Sequence, residues 1–175
     1  MKNFTSTNFE NEFERLKDLY QYEILDTPPE NDFEYLVKIA IELCGCPIAA
    51  ITFIDKDRQW FKAKVGDDVP ETPRNISFCA FTIMSDEPLV VEDATKDDRF
   101  SHNPDVTGGL GIRFYAGVPI FSIQGKRLGA VCIIDMKPNS ITKAQLAALN
   151  LISREVTTLL ELRLHNKTLK EHSKK

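Results

Sequence analysis

The chain lacks any apolar run long enough to cross a membrane. Its longest uncharged apolar windows, around residues 44–54 and 115–123, fall well short of the roughly 20 residues that a spanning helix needs. Residues 1–14 are polar and contain no apolar core of the kind that a signal peptide carries. We therefore expect no membrane insertion and a cytoplasmic location.

Clustered positive charge is also missing. Lysine and arginine number 22 against 26 aspartates and glutamates, which gives a net charge of −4. Outside the final helix the basic residues are scattered, whereas a protein that binds phosphate backbones presents a basic face. We expect no nucleic-acid partner.

Cysteine and histidine are few and lie apart. The four cysteines come without a secretory signal, which favours reduced thiols. Cys44-Gly45-Cys46 is spaced too tightly for a zinc knuckle and is not a redox Cys-x-x-Cys motif. His102, His165 and His172 are distant from the cysteines along the chain. We expect no metal site.

Motifs of catalysis are missing as well. The chain has no Gly-x-Ser-x-Gly elbow and no phosphate loop, and Gly109-Leu110-Gly111 lacks the third glycine and the preceding strand of a dinucleotide site. Asp55 and Asp135 each end an apolar run just before a turn, where aspartate commonly caps its own backbone. We predict no catalytic residue, and hence that the chain is not an enzyme.

The chain does contain clear signals for where helices start and end. Residues 27–30, Thr-Pro-Pro-Glu, predict the start of an amphipathic helix that ends at Gly45. A shorter helix is predicted upstream, around residues 13–20. Thr142 and Gln145 form a capping-box pattern that predicts a long final helix.

Short apolar runs between turn residues predict strands. The runs are 48–55, 59–65, 89–92, 112–123 and 126–135. Short turns join the first two and the last two into hairpins, so the sheet is predicted to be largely antiparallel. Pro119 indicates a bulge or an edge position in its strand.

Residues 56–130 mix aromatic and charged side chains in a way that suits a lined pocket. Residues 93–111 form a long polar segment that is a candidate lid. Ser77 is placed to cap a short helix that contains Cys79. The predicted ligand-binding residues are Trp60, Phe61, Ser77, Phe78, Cys79, Phe81, Asp93, Arg99, Phe100, Arg113 and Tyr115.

Several of these residues have a structural alternative. Arg99 and Arg113, each followed by an aromatic residue, could hold an anionic ligand or form internal salt bridges to nearby aspartates. Trp60 suits a pocket wall or a core position equally well. Cys79 could be a reactive thiol at a helix start or a small buried apolar residue.

Six strings resemble the GAF domain family of sensory modules, in particular the bacterial branch found in front of histidine kinases and diguanylate cyclases. They are Ile24–Glu30, Asp57–Phe61, Ser77–Ala80, Asp98–Phe100, Asn103-Pro104 and Arg113–Gly117. The resemblance implies an α/β fold with three layers: a central antiparallel sheet of about six strands, helices on one face, and a short helix plus a long loop over a pocket on the other. It covers residues 19–164, which leaves an N-terminal helical extension (1–18) and the end of a signalling helix with a polar tail (165–175).

By this resemblance the chain is a regulatory domain without chemistry of its own. It would bind a small molecule of unknown identity, dimerise through its terminal helices and relay its state to an output domain or partner of the histidine kinase or diguanylate cyclase type. Phe81 stands where that branch usually has histidine, and the cyclic-nucleotide string of other members is absent. The cofactor is therefore unknown, and no bilin, haem or metal is expected.

Two other functions stay open. Some proteins of this fold reduce free methionine sulfoxide with cysteines, for which Cys79 and Cys132 are the pair to test. The domain could also be a ligand-free dimerisation module, with its pocket filled by Phe81.

Overall fold

The structure, a computed structural model, describes residues 6–173. Residues 1–5 of the predicted extension and Lys174 and Lys175 of the predicted tail lie outside the described residues. The helices are α1 (Ser6–Gln21), α2 (Asn31–Cys44), α3 (Phe78–Thr82), α4 (Pro104–Thr107) and α5 (Lys143–His172). The strands are β1 (Ile48–Ile54), β2 (Arg58–Val65), β3 (Glu71–Pro73), β4 (Leu89–Val91), β5 (Phe114–Phe121) and β6 (Arg127–Asp135).

The six strands form one sheet in the order β3-β2-β1-β6-β5-β4, and every neighbouring pair is antiparallel. The two predicted hairpins, β1–β2 and β5–β6, are joined at the centre by pairing of β1 with β6. The predicted six-stranded antiparallel sheet with helices on both faces is confirmed.

Side chains alternate between two apolar cores, one on each face of the sheet. Along β1, Ile51 and Phe53 join the core under α1, α2 and α5, whereas Ala50 and Ile54 join the core under α3 and α4. This alternation follows from the two-residue period of a strand. Because both faces are covered, the central strands are apolar at nearly every position.

The long final helix begins as its capping box predicts. The Thr142 hydroxyl accepts a hydrogen bond from the Gln145 amide nitrogen, and the Gln145 side chain accepts one from the Thr142 amide nitrogen. α2 also ends as predicted, at Gly45, whose φ of 66° is a conformation that favours glycine.

The predicted start of α2 at Thr27 is wrong, because the helix begins at Asn31. The Thr27 hydroxyl donates to the Ile24 carbonyl and accepts from the Lys62 ammonium, so it does not cap a helix. Thr27 and Pro28 each precede a proline, and a residue in that position is pushed towards extended backbone. The helix therefore starts after the two prolines.

Pro119 occupies a local edge, in agreement with its sequence signal. β4 pairs only with Tyr115–Gly117, so Pro119 lies beyond the end of β4. A register shift against β6 follows between Ile120 and Phe121.

No helix among residues 6–173 is long and apolar enough to span a bilayer.

Candidate ligand-binding site

A cavity of about 300 Å³ lies between the sheet and its cover of α3, α4 and the loop after α4. Apolar and aromatic side chains form most of its wall. The lining residues are Gln59, Phe61, Lys64, Asp67, Val69, Thr72, Ile76, Ser77, Phe78, Cys79, Asp105, Gly109, Leu110, Ile112, Tyr115, Cys132 and Ile134. A second depression, beside Gly45 and Asp135, has a larger volume of about 540 Å³ but is more open to solvent.

The wall contributed by β2 is shaped by a β-bulge. Phe61 pairs with Thr52, but the next pairing joins Ala63 to Ile51, so Lys62 is the extra residue. Phe61 and Lys64 consequently face the cavity, while Lys62 points to the other side of the sheet.

The start of α3 is tied to the edge of the sheet. The Ser77 hydroxyl accepts from the Ala80 amide nitrogen, which confirms the predicted cap, and donates to Gln59 Oε1 at 2.6 Å. Gln59 in turn donates from Nε2 to the Thr72 hydroxyl at 3.0 Å. These bonds fix the position of α3, and they engage the side chains of Ser77, Gln59 and Thr72 with one another.

Stacked aromatic rings support the α3 side of the cavity. The Phe78 and Phe100 rings are stacked with centroids 4.1 Å apart, and Phe81 meets the Phe100 ring edge-on at 4.9 Å. Phe100 is fully buried behind Phe78, whereas Phe81 is partly exposed. Phe78 lines the cavity, and the other two rings hold it in place.

A buried polar cluster forms the cavity floor. The Tyr115 hydroxyl lies 2.7 Å from the Thr82 hydroxyl and donates to Cys79 Sγ at 3.2 Å. Gly117 makes room for this ring, since a Cβ there would lie 2.1 Å from the Tyr115 oxygen. Burial, followed by the neighbouring Cys79, raises the pKa of Tyr115 well above its ordinary value.

Two free cysteines share this floor, Cys79 and Cys132. Burial acts to raise the pKa of Cys79, but hydrogen bonds from Cys132, Thr52 and Tyr115 outweigh it, so this pKa is lowered. The pKa of Cys132 is raised well above its ordinary value by its hydrogen bond to Cys79 and by burial. Any thiolate in this pair would therefore form on Cys79.

Three charged residues, Lys64, Asp67 and Asp105, line the cavity. The Lys64 ammonium pairs with Asp67 at 2.5 Å and lies 3.9 Å from the centroid of the Phe61 ring. Asp67 Oδ1 accepts from the Val69 amide nitrogen. Burial raises the pKa of Asp105. The nearby Lys64 acts to lower this pKa, and the nearby Asp67 acts to raise it.

Five of the predicted ligand-binding residues line the cavity: Phe61, Ser77, Phe78, Cys79 and Tyr115. Trp60 does not, because the alternation of β2 turns it into the core under α1, α2 and α5. Phe100 stacks behind Phe78, Phe81 packs against Phe100, and neither lines the cavity.

The remaining predicted residues, Asp93, Arg99 and Arg113, are engaged within the cover. Asp93 caps the turn at Ala94–Lys96. Arg99 pairs with Asp97 at 2.6 Å, and Arg113 donates from Nη1 to the carbonyls of Val106 and Ile112. None of the three lines the cavity. Their guanidinium and carboxylate groups hold the 93–113 segment together.

Sequence reasoning missed several lining residues, among them Lys64, Asp67 and Asp105. The bulge at Lys62 changes which residues of β2 face the cavity, and no local sequence pattern predicts this bulge. Asp105 follows Asn103 and Pro104, which cap and begin α4 within the segment that was predicted only as a candidate lid. An Asn-Pro pair followed by an acidic residue is a helix-start signal that could have located Asp105.

This fold agrees with comparison to known proteins. The family model of the GAF domain matches residues 29–160, so the chain belongs to the GAF domain family. GAF domains are generally sensory modules.

A cyclic di-GMP phosphodiesterase of Pseudomonas aeruginosa is 41% identical over 129 residues. That match covers 74% of this chain but 22% of the relative, so the chain spans about a fifth of that protein's length.

Solved structures share the fold at low identity. The GAF domain of an Acinetobacter phosphoenolpyruvate-protein phosphotransferase has a TM-score of 0.62 at 16% identity and covers 90% of this chain and 98% of its own. A type II free methionine-R-sulfoxide reductase from Thermoplasma acidophilum has a TM-score of 0.61 at 16% identity, with 74% and 90% covered. At this level of identity both comparisons support the fold alone.

Proposed function

We propose that this GAF domain binds a small molecule in its cavity and transmits the bound state through α5 to an output domain or partner. The observation that carries the proposal is a chain of contacts from the cavity wall to α5. It starts at the β-bulge, where Phe61 faces the cavity and Lys62, the next residue, crosses to the helix side.

The first step of this chain is the buried ammonium of Lys62. Its side chain is 0% exposed and pairs with Glu30. Lys62 also donates to the Thr27 hydroxyl and the Pro28 carbonyl, both at 2.8 Å. Burial lowers the pKa of Lys62, and Glu30 opposes that shift. These three acceptors use all three N–H groups of the ammonium and hold it in place.

The second step joins Glu30 to α5. Arg163 donates from Nη1 to the Glu30 carboxylate at 3.2 Å and from Nε to the Tyr22 carbonyl at 3.1 Å. A ligand that shifts Phe61 would move the bulge, and with it a carboxylate that helps to position Arg163. Such a ligand changes the packing of α5 only if it binds the two packings with different affinity.

Both terminal helices offer surface for dimerisation. On α5, Leu162 and Leu169 are 54% and 64% exposed, and on α1, Phe13 and Tyr20 are 67% and 47% exposed. Each pair is spaced by one heptad, the repeat of a coiled-coil seam. We infer a homodimer in which these positions of α1 and α5 face their partners.

The output would lie outside this domain. The relative from Pseudomonas aeruginosa is a cyclic di-GMP phosphodiesterase, which favours an output that makes or degrades this messenger over one of the histidine kinase type. We expect the domain to be non-catalytic and cytoplasmic. Its cofactor stays unassigned; among residues 6–173 no group of three or more ligating side chains could hold a metal ion.

Thiol chemistry is a second candidate, favoured by Cys79 and Cys132 at the cavity floor. A solved structure of the same fold is a methionine sulfoxide reductase. Free methionine sulfoxide would be reduced by Cys79 attack on its sulfur and closure of a disulfide with Cys132, which releases methionine and water. Loss of both thiols in a titration after adding the sulfoxide, absent in Cys79→Ala, would support this reading.

Native mass spectrometry of protein taken directly from cells tests the sensor proposal. We expect a dimer with an additional non-covalent mass that denaturation removes. Ile134→Phe, which adds bulk to the cavity wall, should lose this mass, whereas Ile123→Phe, at an exposed position outside the cavity, should keep it. An empty wild-type dimer would instead support the ligand-free dimerisation module.

A further inference from the structure

The charges of the cavity lining do not balance. Lys64 is the one cation among the described residues that line the cavity, and Asp67 and Asp105 are both carboxylates. The Lys64 ammonium is already held by Asp67 and by the face of the Phe61 ring. The lining therefore carries one carboxylate more than it has cations.

Asp105 is the carboxylate left over. Asp67 has a partner for each oxygen, Lys64 for one and the Val69 amide for the other. Among the described residues no donor reaches the Asp105 carboxylate, although its amide nitrogen donates to Asn103 Oδ1 and its carbonyl accepts from the Ile112 nitrogen. A partly buried carboxylate without a partner gains stability from any cation that reaches it.

Most of the remaining cavity surface is apolar. Phe61, Phe78, Ile112 and Ile134 form part of it. Among the polar side chains, Gln59, Ser77 and Thr72 bond to one another, and Tyr115 bonds to Cys79 and Thr82. A ligand body beside Asp105 therefore meets mainly rings, aliphatic chains and thiols.

We propose that the ligand is a small amine, with a cationic head paired to Asp105 and an apolar, ring-sized body inside the cavity. This inference rests on the proposed ligand-binding function and names its ligand class. An anionic head would have to approach Asp105 and displace Asp67 from Lys64. A volume of about 300 Å³ admits a body of one ring with a short chain.

Three probes with the same phenyl ring and different head groups test the charge of the head: phenethylamine, phenethyl alcohol and phenylpropionate. In calorimetric titration of the full chain, we expect the amine to bind at least about tenfold more tightly than the alcohol, and phenylpropionate to bind most weakly. Asp105→Asn keeps the shape and removes the charge, so it should weaken amine binding about tenfold and leave the alcohol unchanged. Asp98→Asn, an exposed position outside the lining, is the matched control.

Binding of the alcohol or of phenylpropionate as tight as that of the amine would overturn the inference. So would an unchanged preference in Asp105→Asn with a native circular dichroism spectrum, or no measurable binding of any probe. None of these results removes the sensor proposal, which stands or falls on the mass carried by protein taken from cells.

Discussion

The two faces of the sheet differ in how completely they are filled. Under α1, α2 and α5, side chains such as Phe53, Leu149 and Val156 are 0% exposed and form one continuous apolar core. The opposite face is covered by short helices and loops, and about 300 Å³ beside it stays open. The filled face buries the larger apolar cluster, and the other face keeps a cavity.

The faces also differ in the polar groups that they bury. The cavity side holds thiols and hydroxyls, with Cys79, Thr82 and Tyr115 bonded in one cluster. The helix side also buries a thiol and hydroxyls, such as those of Cys46 and Ser153, but it differs in holding the buried ammonium of Lys62, at the bulge that links the two sides. Mutations on each side, and at the link, should thus have different consequences.

Truncation in the filled core should give the largest loss of stability. Phe53→Ala removes a fully buried ring and leaves a cavity, so we expect the free energy of unfolding to fall by about 3–5 kcal/mol. Phe61→Ala, on the cavity wall, should cost about 1 kcal/mol because that ring already borders open space. Urea denaturation measures both, and equal losses would contradict the contrast between the faces.

Disruption of the Lys62–Glu30 pair, at the bulge that links the two faces, should give the next largest loss of stability. Lys62→Met leaves Glu30 without its buried partner, and we expect a loss of about 2–3 kcal/mol, reduced from that of a fully buried pair because Glu30 is 41% exposed. The exposed Lys56→Met is the control and should change the stability by less than about 0.5 kcal/mol. Equal effects of the two variants in thermal unfolding would show that the Lys62–Glu30 pair does not stabilise the fold.

Adding one methyl group to the cavity floor should have a smaller effect. In Gly117→Ala the new Cβ would meet the Tyr115 hydroxyl at 2.1 Å, and we expect overpacking to cost about 1–3 kcal/mol. Gly108→Ala is the matched control, since its nearest atom lies at 3.6 Å. If Gly117→Ala unfolds at the wild-type denaturant concentration, the Tyr115 ring is not held as described.

The smallest expected effect concerns pH and the ion pair that ties α1 to the start of the cavity cover. Burial acts to raise the pKa of Glu12, but hydrogen bonds from Arg15 and Arg74 outweigh it and lower this pKa to about 2. A lowered carboxyl pKa contributes stability above the ordinary value of 4.5, which is lost as the pH falls towards 2.

Glu12→Gln should therefore cost about 1 kcal/mol at neutral pH, a figure discounted for solvent screening, and almost nothing near pH 2. Glu14→Gln, at an exposed position, is the control. Denaturation at both pH values measures the difference, and a cost independent of pH would argue against the ion pair.

The fold was largely predictable because its signals are local. The capping box at Thr142 and the αL turn at Gly45 each depend on residues close in sequence, and both were located correctly. β3 was not predicted, since three residues such as Glu71–Pro73 carry no period to recognise. The start of α2 was misplaced because Thr27 was taken for its cap, although the prolines that follow Thr27 and Pro28 push both residues towards extended backbone.

The cavity lining was predictable only in part, because it depends on which way each side chain points. Trp60 and Phe61 are adjacent and aromatic, yet only Phe61 reaches the cavity. Arg99 and Arg113 resemble ligand-binding arginines, but here they bond to Asp97 and to backbone carbonyls. Bulge position and loop closure decide these outcomes, and both arise from contacts distant in sequence.

The central claim, that the cavity and α5 are coupled through Lys62, is tested most directly by hydrogen exchange in residues 161–172. The amides of this segment would be compared in protein that retains its co-purified ligand and in protein refolded without it. We predict slower exchange with the ligand in the wild type and no difference in Lys62→Met. Identical exchange with and without ligand in the wild type, or an unchanged difference in Lys62→Met, would contradict the account.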